Sequence, residues 1–313
     1  MQNKHRYIFH IGMPKAASTT LQKRLFPFVP HINNMALYPT NNIAGSNAVQ
    51  DNVNSVYLTD TRLFDFYKSL HNRPEVTTGE LAAKWAELSS QHQRYNTTLL
   101  SHEAMTSAFF SAISVPDKLL RIKSVFPDCY IVLIIREPRD WLMSQYTDHP
   151  FVPTNLGGGP PCTFDTWVNL FLTEPGLEKA REALNYHQLI SRCYGMFGES
   201  KVTVLKFDWL RSVPERFCNS WAELFGVSAT FVAEHLSQQH ENRGLSGIYN
   251  KLRQRQRKHI LAGLNAPLTS KLWALHQLKS LPKTQYALTA STEALLSDYY
   301  AEPTIKLKNL MGW

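Results

Sequence analysis

The sequence predicts an α/β fold: a doubly wound parallel sheet of about five strands flanked by helices, with a mostly helical C-terminal third. Three observations carry this expectation. Strand-like and helix-like stretches alternate along much of the chain. The run Cys129-Tyr-Ile-Val-Leu-Ile-Ile135 is apolar and β-branched almost throughout, as a central strand covered on both faces must be. Two strands, ending near Ile11 and Ile135, each lead through a short loop with a basic residue into a helix with hydroxyl side chains. Ligands of such sheets sit at the C-terminal ends of the strands.

The elements follow in order. Tyr7 to Ile11 is an apolar run that reads as a buried strand, broken by Gly12, Met13 and Pro14. Ala16 to Leu25 has helical spacing with Leu21 and Leu25 on one face. Residues Phe26 to Asn54 are rich in Asn and Pro and read as loop around a short strand, Ala36 to Tyr38. Thr61 to Leu70 and Gly79 to Gln91 read as helices, Thr97 to Ser101 as a strand, and Pro116 to Phe126 as a helix with Pro in its first turn. After the strand Cys129 to Ile135 come helices at Pro138 to Tyr146, Phe164 to Leu172 and Leu177 to Phe197. Lys201 to Phe207 reads as the last strand. Residues 148–161 hold four prolines and three glycines and read as a long loop, a candidate lid. Strands continue on both sides of it, so a single domain over 1–313 is expected.

Composition narrows the function classes. The chain has 313 residues, 43% of them hydrophobic and 19% charged, as in an ordinary globular protein with a sizeable core. Its net charge is +8 and its isoelectric point about 9.2, which suits an anionic cofactor, an acidic substrate or nucleic acid. No zinc-finger spacing or RNA-binding signature is present, so nucleic acid is not expected as partner. Cys129, Cys162, Cys193 and Cys218 lie far apart without a C-x-x-C pair and read as free thiols of a reducing compartment. No apolar run reaches membrane-span length, and the first residues read as no signal peptide, so a soluble, cytoplasmic protein or an excised domain is expected. No repeat or low-complexity tract interrupts the chain.

Two stretches carry the chemistry. In the first, Ile11-Gly-Met-Pro-Lys-Ala-Ala-Ser-Thr-Thr-Leu-Gln22, one lysine lies in the loop and three hydroxyls open the helix. Unpaired N–H groups and about half a positive charge at a helix start, together with Lys15, make an anion site from Lys15, Ala16, Ala17, Ser18, Thr19 and Thr20. A nucleoside-triphosphatase loop would place Lys directly before the helix Ser/Thr, after a second Gly; here Lys15 lies earlier and Ala17 stands where Gly is expected. Ala there is compatible with helical dihedrals. The order Pro-Lys-x-x-Ser-Thr-Thr-x-Gln resembles the 5′-phosphosulfate loop of sulfotransferases that use 3′-phosphoadenosine 5′-phosphosulfate (PAPS). In the second stretch, Arg136, Pro138, Asp140, Ser144 and Tyr146 occupy every fixed position of that family's 3′-phosphate pattern, Arg-x-Pro-x-Asp-x-x-x-Ser-x-Tyr. A guanidinium can hold a phosphate by two parallel bonds, and a serine hydroxyl can supplement it. Read alone, Arg136 and Asp140 would be a capping ion pair.

The resemblance to PAPS-dependent sulfotransferases, and to the bacterial carbohydrate type through the ending Tyr299 to Trp313, implies a P-loop-like fold. It also implies PAPS as sulfuryl donor, 3′,5′-bisphosphoadenosine (PAP) as product, no metal, and a hydroxyl acceptor on a carbohydrate or glycoconjugate. The strand Thr97 to Ser101 ends in His102 and Glu103; family members use one or the other residue type as base. Glu103 is expected as base, with His102 the rival, because adjacent strand residues point to opposite faces. Arg243 and Gly244 weakly resemble the segment that closes over the 3′-phosphate, and equally read as a plain loop. The helix after them carries basic residues at 251–258, a solvated face or an acidic-acceptor surface. In the C-terminal segment Leu307 and Leu310 are expected to pack on the core. The alternatives are a P-loop-type nucleotide kinase dependent on ATP and Mg²⁺, and a protein that binds anionic glycans or nucleic acid without turnover.

Overall fold

A computed structural model describes residues 5–36, 61–92, 94–106, 111–148, 162–237 and 286–313. Its frame is one parallel sheet of five strands: β1 (Arg6–His10), β2 (Asn33–Ala36), β3 (Thr97–Ser101), β4 (Tyr130–Ile135) and β5 (Val202–Lys206), in the order β2-β3-β1-β4-β5. The register pairs His10 with Ser101 of β3 and with Val132 of β4. From β1 the chain turns toward β2 and β3, whereas from β4 it turns the other way to β5. The point where the winding reverses therefore lies between β1 and β4, where such sheets form a crevice.

The β-branched run of β4 is buried from Ile131 to Ile135, as both-face coverage requires. Alternation along β1 sends neighbours to opposite faces. Phe9 meets Phe126 and Tyr67, with ring centroids 5.8 and 6.4 Å away. His10 meets Phe26 and Trp221 at 5.4 and 5.8 Å.

The helices are α1 (Ser18–Arg24), α2 (Thr61–Asn72), α3 (Thr78–His92), α4 (Val115–Val125), α5 (Pro138–Asp148), α6 (Phe164–Thr173), α7 (Glu178–Glu182), α8 (Tyr186–Phe197), α9 (Trp209–Ser212), α10 (Pro214–Phe225), α11 (Ala229–Ser237) and α12 (Ala290–Met311). Start and stop signals explain several bounds. Ser114 caps α4 by accepting from the Asp117 N–H, and Pro116 sits in its first turn. α10 begins on Pro214 and ends on Gly226 in the left-handed region.

The structure corrects four expectations. The first helix starts at Ser18, not Ala16, because Ala17 has φ 65° and ψ 5° and is not helical. The helix expected from Leu177 to Phe197 is two helices. The Asn185 side chain accepts from the Gln188 N–H and starts a new helix after the turn at Ala183 and Leu184. The strand expected at Ala36 to Tyr38 begins earlier, with Asn33–Ala36 in the sheet; residues 37–38 of the expected strand lie outside the described residues. Its asparagines hid it, since Asn is rare in strands. Asn33 is there to hold the turn before β3: its amide donates to the Tyr95 carbonyl at 2.8 Å and its carbonyl accepts from the Arg94 and Tyr95 N–H groups. Finally, Leu307 is buried but Leu310 is exposed; Trp313 packs instead, 5.5 Å from Trp209 and beneath the Lys206 ammonium at 3.8 Å. The loop 148–161, Arg243, Gly244 and the basic stretch 251–258 lie outside the described residues, apart from the backbone of Asp148.

The chain divides into two compact units. The first comprises Met1–Glu137, Glu182–Glu241 and Pro303–Trp313 and contains the whole sheet. The second comprises Pro138–Arg181 and Asn242–Glu302. Within the second, Trp167 and Phe171 stack at 5.6 Å, the Tyr146 hydroxyl donates to the Cys162 carbonyl at 2.9 Å, and the Asp165 carboxylate accepts from the Thr289 N–H at 2.7 Å.

Candidate active site

The loop between β1 and α1 is built against its own sequence. Lys15 and Ala17 both take left-handed dihedrals, with φ 67° and 65°, a conformation that costs a residue with a Cβ roughly 1–2 kcal/mol. Backbone that alternates in this way forms a concave nest suited to anions. Hydrogen bonds hold the strained shape. The Ile11 and Met13 N–H groups donate to Val132 and Ile134 of β4, which continues the sheet pairing past the end of β1.

Four of the loop's carbonyls are already engaged. The Gly12 carbonyl accepts from the Thr106 hydroxyl at 3.1 Å, the Met13 carbonyl from the Ala16 N–H at 3.1 Å, the Lys15 carbonyl from Arg136 Nη1 at 2.8 Å, and the Ala17 carbonyl from the Leu21 N–H at 3.0 Å. These four are closed to a donating guest, which favours one that brings acceptors of its own, as phosphate or sulfate oxygens do. The Ser18 hydroxyl is buried without a partner among the described residues, and Thr19 and Thr20 follow it, half-buried and buried.

Arg136 leaves the end of β4 and crosses the switch point to the loop. Besides its bond to Lys15, its guanidinium lies 4.7 Å over the Phe207 ring, and its own carbonyl accepts from the Tyr186 hydroxyl at 2.7 Å. Phe207 is in turn held by its N–H to the Ile135 carbonyl. Phe207 and Tyr186 were not singled out from sequence; both are apolar-aromatic positions indistinguishable there from core.

The third strand end joins the same edge. The His102 N–H donates to the His10 carbonyl at 3.1 Å, and Thr106 ties the following turn to Gly12. β3 stops at Ser101. His102 remains extended, but Glu103 opens a 3-10 turn, Glu103–Met105, so strand alternation does not decide which of the two faces the acceptor. Glu103 is half-buried. The His102 ring packs edge-on against Tyr67 and His71, at 5.0 and 4.7 Å, and its Nε2 is buried without a partner among the described residues. Burial, with the charges of His71 and Lys118, holds the His102 pKa well below its ordinary value. Burial also pushes His71 down to about 4 and Lys118 down to about 7. The Lys118 ammonium donates to the Ala104 carbonyl at 2.8 Å, bracing the Glu103 turn from beneath. Sequence gave no signal for Lys118, a buried lysine on an otherwise apolar helix face.

Lys15, Ala16, Ala17, Ser18, Thr19, Thr20, His102, Glu103 and Arg136 thus gather on adjacent strand ends of the first unit. Ser144 lies half-buried on α5 in the second unit. Among the described residues no three His, Cys, Asp or Glu side chains could hold a metal ion, and no helix is long and apolar enough to cross a membrane. The four cysteines are free thiols.

No family model and no curated protein matches this sequence. Solved structures similar to it include three sulfotransferases. A sulfotransferase from Alicyclobacillus acidocaldarius is 14% identical, over 99% of this chain and 96% of that one, with a TM-score of 0.48. The sulfotransferase domain of a Synechococcus olefin synthase is 12% identical over 96% of both chains, with a TM-score of 0.42. A mouse sulfotransferase in complex with PAP is 10% identical, over 76% of this chain and 68% of that one, with a TM-score of 0.39.

Proposed function

We propose that this chain is a sulfotransferase that moves the sulfuryl group of PAPS to a hydroxyl of a carbohydrate or glycoconjugate. One observation carries the reading. At the switch point of a parallel sheet, a loop holding Lys15 and Ser18, with four of its carbonyls engaged, is tied directly to Arg136. This arrangement supplies donors for two separated anionic groups, one at the loop and one at the guanidinium.

In this reading the loop and the hydroxyls of Ser18, Thr19 and Thr20 bind the 5′-phosphate and sulfate, and Arg136 binds the 3′-phosphate, the role the sequence pattern also gives Ser144. The sulfur–oxygen bond to the phosphate breaks as a new one forms to the acceptor oxygen, in line. Lys15 stabilises charge on the departing phosphate oxygen, and catalysis is chiefly positioning and charge stabilisation. The acceptor proton passes to Glu103, with His102 as the competing base, and PAP leaves. Burial holds His102 neutral, and the same lowering makes it a weaker base. The loop after β1 lacks a lysine directly before Ser18, which sets it apart from a nucleotide kinase.

Calorimetry with PAP and with adenosine 5′-monophosphate tests the reading. PAP should bind about tenfold to several-hundredfold more tightly, from charge-assisted bonds worth roughly 1.5–3 kcal/mol each. Equal affinities, or phosphoryl transfer from ATP that stops with EDTA and returns with Mg²⁺, would overturn it.

A further inference from the structure

The loop rests on a fully buried histidine that the reaction just described does not use. His10 is the last residue of β1, with no exposed surface, its ring edge-on to Phe26 and Trp221. Its Nδ1 lies 2.7 Å from the Ser101 hydroxyl. The Gln22 amide nitrogen lies 2.9 Å from that same hydroxyl and 3.4 Å from the Ser101 carbonyl. A carbonyl only accepts, so the Gln22 group turned to Ser101 is the donating NH₂. The Ser101 oxygen accepts from Gln22, and among the described residues Nδ1 is the acceptor open to its proton. The ring proton of a neutral His10 then sits on Nε2.

That Nε2 is buried and has no partner among the described residues, and neither has the Ser18 hydroxyl. Both converge on one point. A Cβ placed on Gly12 would lie 2.6 Å from Nε2 and 3.4 Å from the Ser18 oxygen. Gly12 is thus the gap across which the ring reaches the loop. An anion has no proton to give, so every group touching it must donate. When the Ser18 hydroxyl donates to an anion, its oxygen has a lone pair that needs a donor, and His10 carries one.

We propose that His10 is a positioning residue: its Nε2–H bonds to the Ser18 oxygen when the loop grips an anion, and so aims the Ser18 proton at a phosphate or sulfate oxygen. The order of donation runs from Gln22 to Ser101, to His10, to Ser18, to the anion. Burial also pushes the His10 pKa down to about 3, which keeps the ring neutral as this order requires. The inference rests on the reading of the loop as the 5′-phosphosulfate site.

The test is calorimetry with two probes, PAP and inorganic pyrophosphate, on the full chain. His10→Phe and Ser18→Ala should each weaken both probes about tenfold to a hundredfold, and the double variant should be no worse than the poorer single one. His10→Gln, which carries an N–H to about the reach of Nε2, should stay within about threefold of wild type. Should His10→Phe fail to fold, judged by thermal melting, Ser101→Ala replaces it; that variant releases the tautomer without changing the ring and should weaken both probes about three- to tenfold. Additive losses, wild-type binding by His10→Phe or Ser101→Ala, or no rescue by Gln would reduce His10 to a space-filling residue. A wild type that binds pyrophosphate but not PAP would remove the sulfotransferase reading and leave the His10 cycle decisive on pyrophosphate alone. Binding of neither probe would overturn both.

Discussion

The chain takes the same left-handed backbone in two kinds of place. After α10 it uses Gly226, with φ 68° and ψ 35°, where a Cβ would meet nothing within 4 Å and yet no side chain is present. In the loop after β1 the same region is taken by Lys15 and Ala17, with φ 67° and 65°. The helix end at Gly226 is thus closed without strain. Of the three non-glycine residues with positive φ among the described residues, two lie together in the loop tied to Arg136 and Thr106; the third, His31 with φ 59°, precedes β2. Strain held by surrounding bonds is a mark of pre-organisation, and four predictions break or sharpen the contrast.

The largest effect is expected of Lys15→Gly, which removes the ammonium and the strain together. Sulfuryl transfer should fall by ~10²–10³, by analogy with loss of one oxyanion donor, while the melting temperature rises. Steady-state kinetics beside thermal melting checks this; a fall in both would mean the lysine is there for stability. Next, Arg136→Lys keeps the charge but loses the planar fork that reaches the Lys15 carbonyl over Phe207. PAP affinity should drop by about 1.5–3 kcal/mol, with adenosine 5′-monophosphate far less affected. Calorimetry on the two nucleotides reads the difference.

The third prediction concerns pH. His10, His71 and His102 all lie under this strand edge with folded-state pKa values pushed below 6.5, to about 3 and about 4 for the first two. Their stabilisation is present above the unfolded value and lost as pH falls from about 6.5 toward the folded values. Each can contribute a slope of up to about 1.4 kcal/mol per pH unit in that window. Denaturant titrations between pH 7 and 4.5 should show falling stability, and His71→Gln should flatten the slope. The smallest effect is the most direct on the contrast itself. Ala17→Gly should stabilise by about 1 kcal/mol and Gly226→Ala destabilise by about the same. Equal signs would show that the loop conformation is not strained.

Much of this architecture was legible in sequence because burial leaves a pattern. The β-branched run Tyr130–Ile135 and the break at Gly12 to Pro14 located the central strands, and the parallel five-stranded sheet followed from their alternation with helices. What sequence hid were features settled by bonds distant along the chain. Ala17 reads as a helix former, yet the loop's bonds to β4 and Arg136 override that propensity. Asn33 and Asn34 read as loop, yet Asn33 earns its strand place through Arg94 and Tyr95, sixty-one and sixty-two residues away. His10 reads as one polar residue in an apolar strand; its role emerges only when Ser101, ninety-one residues later, and Gln22 come beside it. Gln22 belonged to the recognised pattern without a stated reason, and the relay to His10 supplies one.

The two peptide planes that Thr106 and Arg136 hold by their oxygens, at Gly12 and at Lys15, are also held by their N–H ends, Met13 to Ile134 and Ala16 to Met13. Each plane is clamped twice, so neither can turn unless two hydrogen bonds break together. Shortening Thr106 or Arg136 removes one clamp and leaves the other. The loop should then loosen by degrees, with faster amide hydrogen exchange at Met13 and Ala16 before the sheet melts.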